Sequence, residues 1–229
     1  MNSQQIPLKL EFPEQLTFEN FLSQEDSIVQ TSLEQLVSSE HHCALICGSD
    51  GTGKTHLTQA LYHSLSERGV IPAFIDCSEE GLMPELFDAL EVYPLVILDS
   101  VDCLLSSRSW QEKLFHLYNR LVENHHHMVL SMSSPPDQIE DILPDLRSRL
   151  MSGLILPLTE LPDELKLSAL QDRATSYGLE LTKEVGLYLL SRLPRDMHGL
   201  FDTLHHLDKA SLTHKRRLTI PFVKEILSI

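Results

Sequence analysis

Between Gly48 and Thr55 the chain reads Gly-Ser-Asp-Gly-Thr-Gly-Lys-Thr: spaced glycines, then a lysine and a hydroxyl residue. Gly48, Gly51 and Gly53 let the backbone turn sharply, so consecutive N–H groups, those of Ser49, Asp50 and Thr52 among them, converge on phosphate oxygens. A helix beginning near Lys54 would add its positive end to that attraction. In a loop of this pattern the ammonium, here Lys54, reaches the β- and γ-phosphates, and the next hydroxyl, here Thr55, ligates Mg²⁺. The apolar run Cys43–Cys47 leads straight into the loop and a helical pattern leaves it, which is the context the motif requires. These residues specify a nucleoside di- or triphosphate, held with Mg²⁺.

Such a site needs a carboxylate for the Mg²⁺ shell. The run Leu95-Val96-Ile97-Leu98 ends in Asp99, which fits that role, although an Asp that ends a buried strand is also a common way to begin a loop. Many nucleotide hydrolases place a second acidic residue next, to polarise the attacking water. Here that position is Ser100, and Asp102 lies too far along to occupy the same point. The residues therefore specify binding more firmly than turnover.

The elements that must position these groups are legible from periodicity. Five short runs, Cys43–Cys47, Pro72–Asp76, Leu95–Asp99, Met128–Ser133 and Leu154–Leu158, are apolar throughout instead of alternating, as strands covered on both faces are. Leu57, Leu61 and Leu65 mark a helix face that closes at Gly69. Ser109 is read as the cap of a second helix with the stripe Leu114, Leu117 and Leu121. The alternation predicts a parallel sheet between helices. After Pro157 the strand signal stops. Asp163, Thr182 and Asp196 are read as caps of three helices, and a last helix carries Ile220, Val223 and Leu227 with Pro221 in its first turn. The expected organisation is a flexible tail over 1–16, a nucleotide-binding α/β domain over 17–158 and a helical unit over 159–229.

Composition removes several function classes. With 33 acidic and 18 basic residues the formal charge is −15, which repels phosphate backbones and argues against broad DNA or RNA binding. His214-Lys215-Arg216-Arg217 is the sole basic run and reads as the solvated end of a helix. Histidines at 41–42, 125–127 and 205–206 lack partners at metal-ligand spacing and read as loop residues. No secretory signal and no membrane-length apolar stretch is present. Cys43, Cys47, Cys77 and Cys103 read as small buried hydrophobes in a reducing compartment, so the expected location is the cytoplasm.

Four stretches resemble the DnaA branch of the AAA+ proteins, and within it the Hda family of short homologues that inactivate the initiator. They are Thr17-Phe18-Glu19-Asn20-Phe21, Leu117-Tyr118-Asn119-Arg120, Leu143-Pro144-Asp145-Leu146-Arg147-Ser148-Arg149-Leu150, and the run from Leu218 to Leu227. The resemblance implies the AAA+ P-loop α/β/α sandwich, with a five-stranded parallel sheet in the order 5-1-4-3-2 and a C-terminal helical lid. It implies that Arg149 is an arginine finger acting in trans on ATP held by DnaA. An Arg offered in that way is worth ~10³–10⁵ in rate.

It also implies that Gln5, Ile6, Leu8 and Leu10 form a peptide that binds the DNA polymerase III β sliding clamp, with self-association as a further possibility. Two departures stand out. Ser133 occupies the sensor 1 position, where DnaA relatives tend to carry Asp. His198 occupies the sensor 2 position in place of Arg and, being mostly neutral near pH 7, would grip a γ-phosphate weakly. The function implied is an ADP-bound (or ATP-bound) adaptor that represses re-initiation of chromosome replication. The alternatives are a stand-alone AAA+ ATPase that loads or remodels a replication protein, and a DNA-binding accessory of DnaA type.

Overall fold

In the computed structural model, residues 16–21, 26–194 and 197–229 are described. Five strands, β1 (Cys43–Cys47), β2 (Ala73–Asp76), β3 (Leu95–Asp99), β4 (His127–Met132) and β5 (Leu154–Pro157), pair in parallel in the order β2-β3-β4-β1-β5. This is the expected order 5-1-4-3-2 read from the other edge. Every residue of β1, β3 and β4 is buried, which is why their sequences are apolar without alternation.

The pleat sends alternate residues of each strand to opposite faces. On one face Ala44, Ile46, Leu95, Ile97 and Val129 meet α1 (Asp26–Gln35), through Val29 and Leu33, and α2 (Lys54–Glu67), through Leu57, Leu61 and Leu65. On the other, Leu45, Val96, Leu98, Met128 and Leu130 meet Phe87 of the 3-10 segment Pro84–Val92. They also meet Leu114, Leu117 and Leu121 of α4 (Arg108–Glu123) and Leu146 and Leu150 of α5 (Pro144–Met151). A short α3 (Asp102–Leu105) links β3 to α4. The result is the AAA+ α/β/α sandwich.

Beyond β5, helices α6 (Asp163–Ser176), α7 (Lys183–Arg192), α8 (Met197–His214) and α9 (Ile220–Leu227) enclose a core of their own, with Leu170, Leu189, Leu204, Leu207, Phe222 and Val223 fully or nearly fully buried. This is the expected helical lid.

Several sequence expectations need correction. Pro72 stays outside β2 because it has no N–H for the ladder. β4 begins at His127 and stops at Met132, leaving Ser133 just past its end, and Leu158 lies beyond β5. Ser109 is not a cap: α4 starts at Arg108 after an extended Ser107, and the two serine hydroxyls pair at 2.9 Å. Asp163 is the first residue of α6, not its cap, and its charge favours the helix start from inside the first turn. Cys103 is exposed, whereas Cys43, Cys47 and Cys77 are buried. Thr182 does cap α7, accepting from the Val185 N–H, and Gly69 lies just past α2 with φ +80°. Asp196 and the tail peptide Gln5–Leu10 lie outside the described residues.

The basic run near the C-terminus is partly committed. Arg216 pairs with Glu225 at 2.8 Å and lies 4.8 Å above the Phe222 ring. Phe222 itself is fully buried, while the Thr219 hydroxyl accepts from its N–H at 3.4 Å. Replacing Phe222 with Ala is expected to cost about 3–5 kcal/mol, and Thr219→Ala about 1 kcal/mol. Urea denaturation of both variants measures the difference; equal losses would contradict the packing described.

Candidate nucleotide-binding site

The loop Gly48–Thr55 sits where β1 passes into α2, at the C-terminal end of the sheet. The Gly48 N–H donates to the Met132 carbonyl at 3.1 Å, fastening the start of the loop to β4. A Cβ at Gly48 would lie 2.7 Å from Thr52 Oγ1 and 2.8 Å from the Leu158 carbonyl, so no side chain fits. Gly53 has φ +95°, and a Cβ there would lie 2.7 Å from the Phe21 ring. Both positions demand glycine for space, and Gly53 for conformation as well. Thr52 Oγ1 braces the loop internally by donating to the Ser49 carbonyl at 2.8 Å.

Lys54 is buried, and its ammonium donates to the carbonyls of Gly48 at 2.7 Å and Ser49 at 3.0 Å. Asp50 Oδ1 stands 3.7 Å from the same nitrogen. The Thr55 hydroxyl donates to Asp99 Oδ2 at 2.7 Å. The structure thus brings together, from α2 and β3, the lysine, hydroxyl and carboxylate that the sequence pairs only by pattern. Thr55 Oγ1 and the Asp99 carboxylate form a hard-oxygen donor pair of the kind Mg²⁺ takes, so they fit that ion.

Two partners of Asp99 were not anticipated. Oδ1 accepts from the Ser131 hydroxyl at 2.5 Å and from Thr58 at 3.1 Å, and all three residues are almost fully buried. Ser131 in turn accepts from the Ser100 N–H at 2.8 Å, and Ser100 adopts φ +58°. The left-handed conformation costs a non-glycine residue about 1–2 kcal/mol, and the buried hydrogen bond offsets part of it. The sequence does carry signals for these residues. Ser131 is a polar residue inside an apolar strand, and Thr58 lies three residues after Thr55, on the same helix face.

At the end of β4, Ser133 does not stand alone. Its N–H and hydroxyl donate to Asp102 Oδ2 at 2.7 and 3.1 Å. Asp102, discounted as a substitute for Ser100, is thus engaged by Ser133 just past the end of β4. His198 lies in the first turn of α8, and its side chain is outside the described residues.

A small cavity of about 60 Å³ opens beside the loop, lined by Phe21, Thr52, His56, Leu161, Met197 and Phe201 among others. It joins the segment before α1, the loop and the lid. These side chains come from four separate stretches, so no local sequence pattern marks the cavity. His56 stacks edge-on against Phe21 at 5.2 Å and donates to the Thr17 carbonyl at 2.8 Å. Burial lowers its pKa, opposed by that hydrogen bond. Burial, helped by Asp102 and opposed by Lys54, pushes the Cys47 thiol up to about 11, so it stays protonated at neutral pH.

In Leu146-Arg147-Ser148-Arg149-Leu150 the two arginines differ. Arg147 Nη2 donates to the Ile139 carbonyl at 2.5 Å and the Glu140 carbonyl at 3.3 Å. Arg149 is exposed, and among the described residues its guanidinium has no hydrogen-bond or ion-pair partner.

The histidines near the opposite end of the sheet do structural work: His42, His126 and His127 donate to the carbonyls of His126, Glu91 and His41. Among the described residues no group of three His, Cys, Asp or Glu could hold a metal ion, and no helix is long and apolar enough to cross a membrane.

Comparisons place these features in a known group. A family model for the Hda lid domain matches residues 163–227, and one for the bacterial DnaA ATPase domain matches residues 70–157. The second match begins after the phosphate-binding loop, so that loop rests on its own sequence and geometry. Domain III of the replication initiation protein DnaA from Thermotoga maritima superposes with a TM-score of 0.78 at 19% identity, over 93% of this chain and 95% of that one. AMPPCP-bound DnaA from Aquifex aeolicus superposes with a TM-score of 0.72 at 26% identity, over 86% of this chain and 66% of that one. The Orc1 protein of Aeropyrum pernix, in complex with DNA, shares the fold with a TM-score of 0.73 at 17% identity, over 95% of this chain and 67% of that one.

The neutral His56 ring is the form that the fold holds, so the unfolded chain binds that proton more readily. Its contribution to stability is complete above the usual histidine value near 6.5 and is lost as pH falls through the lowered folded value. Urea midpoints at pH 7.5 and 5.5 are expected to fall further for the parent chain than for His56→Gln. Equal falls would mean that His56 is not held neutral.

Proposed function

We propose, from the premise that this chain is a DnaA-related AAA+ protein, that it is a nucleotide-bound adaptor which stimulates hydrolysis of ATP held by the DnaA initiator. It acts with the DNA-loaded sliding clamp, and the hydrolysis represses re-initiation of replication. The α/β part, 17–158, binds the nucleotide, and the helical part, 159–229, closes over it as the lid. The nucleotide is an adenine nucleotide, retained as ADP. Gly48 to Thr55 would cradle its phosphates, Thr55 and Asp99 would hold the Mg²⁺, and His198 occupies the sensor 2 place in the lid sequence. The ion supplies charge neutralisation at the phosphates. The cavity beside Phe21 and His56 takes the edge of the base. Gln5, Ile6, Leu8 and Leu10 engage the clamp as an extended peptide, apolar side chains in a groove and Gln5 at its rim.

The observation that carries this reading is Arg149. A buried or paired arginine would be explained by its own fold, as Arg147 is. Arg149 is held on a helix whose Leu146 and Leu150 are fully buried, yet among the described residues its charge has no partner. An arginine presented this way suits a phosphoryl group bound by another protein.

A second reading, a stand-alone ATPase acting on a replication protein, is favoured by one observation: Lys54, Thr55 and Asp99 are assembled as a hydrolytic site needs them. Ser100, which lacks a carboxylate to polarise water, weighs against it.

The test mixes the purified chain with DnaA–ATP and DNA-loaded clamp and follows phosphate release. Arg149→Ala is expected to fold normally, because the side chain is exposed, and to lose at least ~10³-fold of the stimulated rate. Stimulation equal to the parent chain would remove the finger assignment. Deletion of residues 1–12 is expected to abolish stimulation, and full activity without them would remove the clamp assignment. Turnover by the chain alone at ordinary ATPase rates would favour the second reading.

A further inference from the structure

We infer that Asp50 sets the nucleotide preference of the loop, holding a nucleoside diphosphate in preference to a triphosphate by competing with the terminal phosphate for Lys54. The inference deepens the nucleotide-binding reading of Gly48–Thr55 and rests on it.

The ammonium of Lys54 has three N–H donors. Carbonyls of the loop, Gly48 O at 2.7 Å and Ser49 O at 3.0 Å, accept from it, and Asp50 Oδ1 lies 3.7 Å away. The Lys54 side chain is only 10% exposed, whereas that of Asp50 is 99% exposed. The carboxylate therefore reaches the ammonium from the solvent side of the loop. Gly51 follows it with φ +79°, so the chain turns directly after Asp50 and keeps that side chain at the loop's outer rim. Among the described residues the Asp50 carboxylate has no partner other than Lys54.

A second carboxylate lies nearby and behaves differently. Glu160 Oε1 accepts from Ser49 Oγ at 3.4 Å, but its Oε2 faces Lys166 Nζ at 3.7 Å. Glu160 has a counter-ion of its own in the lid. Among the described residues the cation answering Asp50 is the one that must grip the β- and γ-phosphates. Loading a diphosphate leaves the Lys54–Asp50 contact with room to persist. A triphosphate brings additional negative charge to the same ammonium, where it must displace the carboxylate and then remain beside it. Two unit charges about 4 Å apart in a water-like dielectric shift an equilibrium roughly fivefold. Asp50 is fully solvated, so salt weakens the effect.

The experiment measures dissociation constants of ADP and ATP, with Mg²⁺, for the full chain and for Asp50→Asn, Asp50→Glu and Glu160→Gln, at low and high salt. The parent chain is expected to favour ADP, by a ratio that shrinks at high salt. Asp50→Asn is expected to tighten ATP roughly fivefold with ADP nearly unchanged, and Asp50→Glu to restore the preference. Glu160→Gln is expected to keep the parent ratio. If both nucleotides bind and the ratio is the same in the parent chain and Asp50→Asn, the inference is overturned while the nucleotide reading survives. A ratio that closes in Glu160→Gln but not in Asp50→Asn also overturns it. If neither nucleotide binds the parent chain, the nucleotide reading fails and takes this inference with it.

Discussion

A single buried carboxylate ties the nucleotide-binding half of this molecule together. Asp99 ends the interior strand β3 with almost no exposure, and hydroxyls from Thr55, Thr58 and Ser131 converge on its two oxygens. A carboxylate in such a place is tolerated only when its lone pairs are answered. The three donors belong to α2 and β4, so the same contacts that satisfy Asp99 fix the helix and the neighbouring strand relative to β3. The phosphate-binding loop hangs between these pieces, its first N–H on β4 and its last residues in α2. Its shape therefore follows from the Asp99 cluster as much as from its own glycines.

The same economy governs the strand ends. Ser100 accepts a left-handed backbone directly after Asp99, and its N–H reaches the very hydroxyl that donates to Asp99. One strand further, Asp102 takes both donors of Ser133. Between them, β3 and β4 present a row of short polar side chains at the end of the sheet that faces the loop. Elsewhere these strands are apolar because helices cover both faces. The polar residues of these strands lie toward their ends, and the C-terminal ends are where ligands bind in open parallel sheets.

Much of this was legible in the sequence. The strands, the loop and the apolar stripes of α2 and α4 follow from run length, periodicity and a motif that demands one local shape, and the strand order from the resemblance to the AAA+ proteins. The helix starts at Ser109 and Asp163 were misplaced because Ser and Asp favour both the cap and the first turn, and only backbone angles tell these positions apart. The Thr58 and Ser131 contacts were missed for a different reason. They depend on strand register across residues more than thirty positions apart, which no local pattern encodes. The cavity near Phe21 has the same origin, since its walls come from the N-terminal segment, the loop, the linker and the lid. Arg147 and Arg149 are identical in type and two residues apart. That Arg147 reaches two carbonyls while Arg149 reaches none among the described residues depends on how α5 seats against residues 139–140.

The segment before α1 has a mechanical meaning. The Phe21 ring occupies the space that a side chain at Gly53 would need, and the Thr17 carbonyl takes the His56 N–H. Residues 16–21 thus rest on the first turn of α2 and on the loop, and Phe18 and Phe21 join the apolar cluster on that face of the sheet. A load borne by the chain ahead of residue 16 would reach the loop through the His56–Thr17 hydrogen bond and the Phe21 ring among other contacts. Tension on such a tether would be felt at the phosphate cradle as well as in the core, making the leading segment a strain gauge mounted on the loop.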